Sequence, residues 1–385
     1  LFIKGKEFDH PQSESITHLL PSDKHTVHSG ATLTVTGTAT NVNPSHIILK
    51  DGAQLVHYDD NVQATIKKTI VAYTPGTKNG WHLIGYSFAG SGEVDEMDNL
   101  LANEYDLYYY DEPTHYWMNQ ELAANSFTEL EAAKGYLYAN SQAQTVGLKG
   151  TLKTANATVN VPLDYTETAG RLKGFNLVGN RFAHNVTTYT GTNVAANCYR
   201  MNGNGTDLMV DIINGSNPLI PGEGFFVKAT DAEASITFNP GAKDGAKAPE
   251  LVEGPVIQLD LIQNGLTLDR LIVKREGEPM EKLTLRENGT KLFALRDNQE
   301  MAVVPIEGKE QPVSFKAVEN GSYTISATTD DGFSYLHLID HKTGADVDLL
   351  ALRQAQGPAS YTFEASEGDY ATRIMLAFTP TNGPS

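Results

Sequence analysis

The chain has 385 residues, which at about 100–200 residues per domain leaves room for roughly two to four domains. Its 29 Lys and Arg against 47 Asp and Glu give a net charge of −18, which repels phosphate backbones and excludes a nucleic-acid binder. The single cysteine, Cys198, excludes an intrachain disulfide framework and any zinc site built on two thiolates; it reads as a small core residue.

No window approaches the roughly 18–20 apolar residues of a membrane span, so no membrane insertion is expected. The opening Leu1-Phe2-Ile3-Lys4-Gly5-Lys6-Glu7 has neither an initiator Met nor a signal-peptide pattern and reads as the start of a processed piece. Short alternating runs of Thr, Val, Ile and Tyr are punctuated by Asn-Gly and Asp-Gly pairs, among them Asp51-Gly52, Asn79-Gly80 and Asn202-Gly203. Such pairs accept positive φ and close tight hairpins, so the pattern predicts an all-β chain. Helical periodicity is confined to a short helix within Ser91–Asn103 and a turn or two in Phe127–Lys134.

In chain order, Val27-His28-Ser29-Gly30-Ala31-Thr32-Leu33 and Leu49-Lys50-Asp51-Gly52-Ala53-Gln54-Leu55 share the pattern apolar-x-x-Gly-Ala-x-Leu, 22 residues apart. That period suits the rung of a β-solenoid with glycine at the corner, and residues 1–70 are expected to form a β segment with two such rungs; a pair of hairpins in a sandwich is the alternative. A longer repeat follows. Trp81-His82-Leu83-Ile84-Gly85-Tyr86-Ser87-Phe88 matches Phe175-Asn176-Leu177-Val178-Gly179-Asn180-Arg181-Phe182, and Lys134-Gly135-Tyr136-Leu137 matches Glu223-Gly224-Phe225-Phe226. Between these, Asp106-Leu107-Tyr108-Tyr109-Tyr110 matches Asn197-Cys198-Tyr199-Arg200-Met201. With Val146-Gly147-Leu148 against Ile236-Thr237-Phe238, four ordered matches at nearly constant spacing predict a duplicated β-sandwich unit, 71–150 and 151–245. The run Gly241–Pro249 loses all periodicity, and a linker is set at 246–255, followed by a C-terminal β-sandwich over 256–385.

These residues also carry a resemblance. The succession Gly52-Ala53-Gln54-Leu55, Gly80-Trp81-His82-Leu83-Ile84, Gly174-Phe175-Asn176-Leu177-Val178-Gly179-Asn180 and Pro221-Gly222-Glu223-Gly224-Phe225-Phe226-Val227-Lys228 resembles large surface proteins of Bacteroidota. Phe333-Ser334-Tyr335-Leu336-His337-Leu338-Ile339-Asp340 through Asp369-Tyr370-Ala371-Thr372-Arg373 is similar to the domain that precedes a type IX secretion sorting domain in such proteins. Glu250–Pro255 and Leu352–Pro358 resemble translated intergenic elements of the same phylum. The resemblance implies a secreted or outer-membrane-surface location and a modular architecture; it supplies no catalytic motif, so function has to come from sites.

The search for chemistry finds little that is specific. Gly85-Tyr86-Ser87-Phe88-Ala89-Gly90 approaches a nucleophile elbow, but Ala89 stands where Gly is required and the repeat replaces Ser87 by Arg181. His337 and His341 have a spacing that aligns zinc ligands only on a helix, and their segment alternates as a strand. His18, His25, His28, His46 and His57 lack ligand spacing, and most of them are expected to face solvent. No cofactor is expected beyond a structural calcium ion, for which the acidic run Glu93, Asp95, Glu96 and Asp98 is the candidate.

Aromatic residues give the strongest signal. In Leu107–Met118 the central Asp111-Glu112-Pro113-Thr114 predicts a turn between two strands. The duplicate serves as an internal control: Tyr108, Tyr110, Trp117 and Met118 face apolar counterparts and are expected in the core, whereas Tyr109 and Tyr116 match Arg200 and Asp207 and are expected at the surface. Tyr109 and Tyr116, with Asp111 and Glu112, are therefore the candidate ligand contacts. The expected function is a non-enzymatic adhesin or structural protein whose partner is a protein or the chain itself; the alternative is binding of a surface glycan by those tyrosines.

Overall fold

The computed structural model describes residues 5–381 apart from 101–103, 169, 171, 240–255, 286–288, 330–331 and 354–357. The fold is nearly all β. The expected linker at 246–255, and with it Glu250–Pro255, lies outside the described residues. By contacts the chain divides into two units, one made of Leu1–Cys198 with Ile212–Pro249, the other of Tyr199–Asp211 with Glu250–Ser385.

The first unit begins with a parallel stack. Strands β1 (Glu7–His10), β3 (Lys24–Val27), β5 (Ile47–Leu49) and β7 (Gln63–Ile70) form one wall, and β2 (Glu14–Ile16), β4 (Thr32–Val35) and β6 (Gln54–Val56) the other. The register pairs His25 with Ile47 and Thr32 with Gln54, the 22-residue period of the sequence. Val27, Leu33, Leu49 and Leu55 point inward and are buried. Gly30 and Gly52 turn the corners at φ of 77° and 76°, a left-handed conformation that side chains resist. The solenoid reading holds with one coil more than the sequence showed, because β1 and β2 stack on it without the Gly-Ala signature. Antiparallel pairing of β7 with Gln144–Thr151 ends the parallel stack and leads into the first repeat.

In that repeat the sheet runs Tyr116–Asn119, Tyr105–Asp111, Gly135–Asn140, His82–Gly85, and in the second repeat Phe175–Gly179 pairs with Gly224–Lys228. Equivalent glycines face each other in both copies, Gly85 with Gly135 and Gly179 with Gly224. The two copies then join through a local two-fold. The Gly85 amide donates to Gly222 O at 2.9 Å and the Gly179 amide to Ala133 O at 2.8 Å, each bond being the repeat counterpart of the other. Bridges Ile84–Glu223 and Lys134–Val178 are related in the same way. Ser87 donates to Asn180 O at 2.5 Å, while its counterpart Arg181 donates to Phe88 O at 2.7 Å. Burial of Arg181 lowers it to about 10, from 12.5.

The helix expected within Ser91–Asn103 is absent from the described part. Gly92–Glu93 is a strand paired with Glu129–Leu130, and Val94–Glu96 is a single 3-10 turn. The backbone finds partners in the sheet instead: the Asp98 amide donates to Gly147 O at 2.9 Å, and Val94 and Met97 are drawn into the core. In place of the turns expected in Phe127–Lys134, Glu129–Leu130 is that partner strand and the Lys134 amide closes a turn on Glu131 O.

In the second unit an 11-stranded sheet carries the C-terminal region. Its order is Ala345–Asp348, Phe333–Asp340, Gly368–Pro380, Glu310–Ala317, Lys291–Arg296, Gln299–Pro305, Leu266–Lys274, Val256–Gln263, Gly321–Thr329, Ala359–Ala365, with Met280–Glu281 added beside Gln299–Pro305. The sheet folds over one core that includes Leu259, Leu271, Phe315, Tyr323, Leu338 and Phe378. The short helix Leu349–Arg353 packs on Phe333–Asp340 and Ala359–Ala365, near the two ends of the strand order.

Candidate functional site

The expected hairpin is present. Tyr105–Asp111 and Tyr116–Asn119 pair antiparallel, with Tyr110 opposite Trp117 and Asp111 opposite Tyr116. The turn is fixed by Thr114 Oγ1, which donates to Asp111 Oδ2 at 2.6 Å, and by His115 at φ +60°, whose amide donates to Glu112 O.

The four candidate contacts divide. Tyr116 is 69 % exposed, as expected. Tyr109 is only half-buried in place of the expected exposure, because its ring meets Phe127 edge-on at 5.2 Å and carries the Lys134 ammonium 4.3 Å from its centroid. Asp111 is half-buried and tied to Thr114. Glu112 is a correction: it is buried, with Oε1 accepting the Thr166 amide at 3.1 Å and the Gly174 amide at 2.8 Å, so it braces the second repeat against the hairpin. Glu112→Ala strands both donors and is expected to cost about 3 kcal/mol in urea unfolding, about twice the loss of one ordinary hydrogen bond.

A charged counterpart does not mark a surface position where the fold satisfies the charge internally. Asp207, the counterpart of Tyr116, is buried, because its Oδ1 accepts the amides of Leu208 at 2.9 Å and Leu285 at 2.6 Å. Arg200 is half-buried beside Asp211, 3.3 Å away. Tyr110 is in the core as expected, and burial first, then the charges of Glu112 and Asp111, push it up to about 12. Tyr108, Trp117 and Met118, expected in the core, are only half-buried, Tyr108 with its ring edge-on to Trp81 and the other two on an outer strand.

The acidic run does not converge on one point. Glu93 sits opposite Glu129 on the two-residue ladder, and Asp95 and Glu96 lie in the 3-10 turn. Asp98 is held by Lys67 and Lys149. Burial pushes Asp98 up, but the two ammonium groups outweigh it and keep it below the usual carboxylate range. Two cations at its oxygens make Asp98 a poor calcium ligand, and among the described residues no three His, Cys, Asp or Glu side chains gather into a metal-holding group. Ser87 is fully buried and accepts the Gly222 amide at 2.9 Å. His25 and His57, from the group expected mostly at the surface, are buried; the His57 Nδ1 bonds to Asp59 O at 3.0 Å.

No protein-family model, curated protein or solved structure matches the chain. Among the described residues no helix is long and apolar enough to cross a membrane. Sequence reasoning missed the Gly85–Gly179 joint and the bracing role of Glu112; the signal for the joint was a glycine at the same place in both copies.

Proposed function

We propose that this chain is a non-enzymatic surface or secreted β protein that docks a protein partner by strand addition along Tyr116–Asn119. One comparison between the repeats carries this reading. The counterpart strand, Leu208–Asp211, is also outermost in its sheet, but it packs on Leu266–Lys274 with Asp211 paired to Arg270, and the turn before it is tied to the same strand, the Gly203 amide donating to Thr267 O at 2.8 Å and Asn202 Nδ2 to Leu268 O at 2.9 Å. In the first repeat Tyr116–Asn119 is outermost in its sheet, paired to Tyr105–Asp111 on one side, and displays the exposed Tyr116. An edge that pairs on one side only among the described residues, with an exposed aromatic ring, suits a partner strand, and the net charge of −18 favours a basic one. The surface location rests on the resemblance to secreted Bacteroidota proteins.

The test is binding of the immobilised full chain to basic extracellular proteins, to itself and to a polysaccharide panel. Tyr116→Ala is expected to weaken saturable protein binding by about tenfold or more while changing stability by less than about 0.5 kcal/mol. Binding confined to polysaccharides and lost in the same variant replaces this reading with glycan recognition by Tyr116. Protein binding indifferent to Tyr116→Ala rejects the edge.

A further inference from the structure

We propose that Lys282 and Asp269, in the second unit, condense to form an intramolecular amide that cross-links the chain. Lys282 Nζ lies 2.6 Å from Asp269 Oδ1, and the two side chains are only 3 % and 5 % exposed. Other lysine–carboxylate pairs are more open: Lys67–Asp98, Lys68–Asp51 and Lys291–Glu300 each leave a carboxylate at least 26 % exposed. The enclosed arginine pairs Arg373–Asp340 and Arg270–Asp211 cannot react this way because guanidinium stays protonated.

The surroundings suit the chemistry. Burial pushes Asp269 up and Lys282 down, both towards the neutral form, with their mutual attraction opposing it. A desolvated neutral amine is a competent nucleophile, and the hydroxyl of a neutral carboxyl can leave as water, which ionised partners would prevent. Asp269 Oδ2 accepts the Leu292 amide at 2.7 Å, a donor placed to stabilise the oxyanion of the tetrahedral intermediate. Lys282 Nζ also donates to Arg270 O at 2.7 Å, a second bond that fixes the nitrogen beside the Asp269 carboxyl.

In the step itself, the lone pair of Nζ forms a bond to Cγ of Asp269 and the Cγ–Oδ1 bond breaks. Oδ1 departs with the carboxyl proton and one amine proton as a single water molecule. Nothing is oxidised or reduced, and no co-reactant is consumed.

Intact-mass measurement of the purified full chain tests this directly. The expected mass is one water below that calculated from the sequence, with fragmentation placing the link between the peptides that hold Asp269 and Lys282. Lys282→Arg, which retains the charge but cannot condense, is expected to restore the full mass. Asp269→Asn is expected to lose ammonia in place of water. Full mass in the folded unsubstituted chain means an ion pair only and overturns the proposal, as does a water loss that maps elsewhere or persists in Lys282→Arg.

Discussion

Gly179→Ala is expected to lower stability by about 3 kcal/mol or more, whereas Gly90→Ala changes it by less than about 0.5 kcal/mol. A Cβ on Gly179 would stand 2.8 Å from the Gly85 Cα and 3.0 Å from Lys134 O, and one on Gly85 would stand 2.3 Å from Glu223 O and 2.7 Å from the Gly179 Cα. These neighbours are backbone atoms held by the reciprocal amide bonds of the two repeats, so no side chain can swing aside to relieve the overlap. Nothing lies within 4 Å of a Cβ on Gly90. Urea unfolding of the two variants and the parent chain measures the difference. Near-equal midpoints for Gly179→Ala and Gly90→Ala would show that the repeats are not joined at this point.

Arg373→Met is expected to destabilise the C-terminal region by about 3–5 kcal/mol, because it leaves the Asp340 carboxylate buried without its cation. Asp340 is fully buried, and Arg373 reaches it through Nε at 3.0 Å from Oδ1 and Nη2 at 2.8 Å from Oδ2. Tyr361 donates to Oδ2 at 3.0 Å and the Lys342 amide to Oδ1 at 2.9 Å. Burial alone pushes Asp340 up, but Arg373, the Lys342 amide and Tyr361 outweigh it and hold it at about 2, against an ordinary 3.8.

A carboxylate with a depressed folded value stabilises the fold fully above its unfolded value and loses that contribution as pH falls. For Asp340 the loss runs from about pH 4 down through about 2, the window between its ordinary 3.8 and its folded value. Thermal unfolding across that range is expected to show an acid limb in the parent chain that flattens in Asp340→Asn. The double variant Asp340→Leu/Arg373→Met is expected to recover much of the single-variant loss, because it removes the unpaired charge together with the pair. If Arg373→Met leaves the unfolding midpoint unchanged, the pair contributes nothing.

Much of the architecture was legible because β structure writes its geometry into short sequence periods. The 22-residue recurrence of Gly-Ala-x-Leu became the register of β3 on β5 and β4 on β6, since each coil must place its buried Leu and its corner glycine over those of the next. The turn at Asp111–Thr114 followed from local chemistry in the same way, whereas the glycine joint of the two repeats was seen only in the folded chain. The extra coil β1–β2 was not legible: its residues lack the signature and are ordered by stacking on their neighbours.

The candidate site was legible only in part. Composition and residue pattern determined that this chain folds as β structure without an intrachain disulfide framework. The sequence also determined that it is built on a duplication. Tertiary structure decided what each polar side chain does. It covered Tyr109 with Phe127 and Lys134, turned Glu112 inward to two backbone amides, gave Asp98 to two lysines, and enclosed Asp207 and Asp269 among donors distant in sequence. The physical reason is the same in each case. Whether a carboxylate or a phenol stays at the surface depends on whether the interior offers it donors and cations, and those come from segments tens of residues away that no local period records.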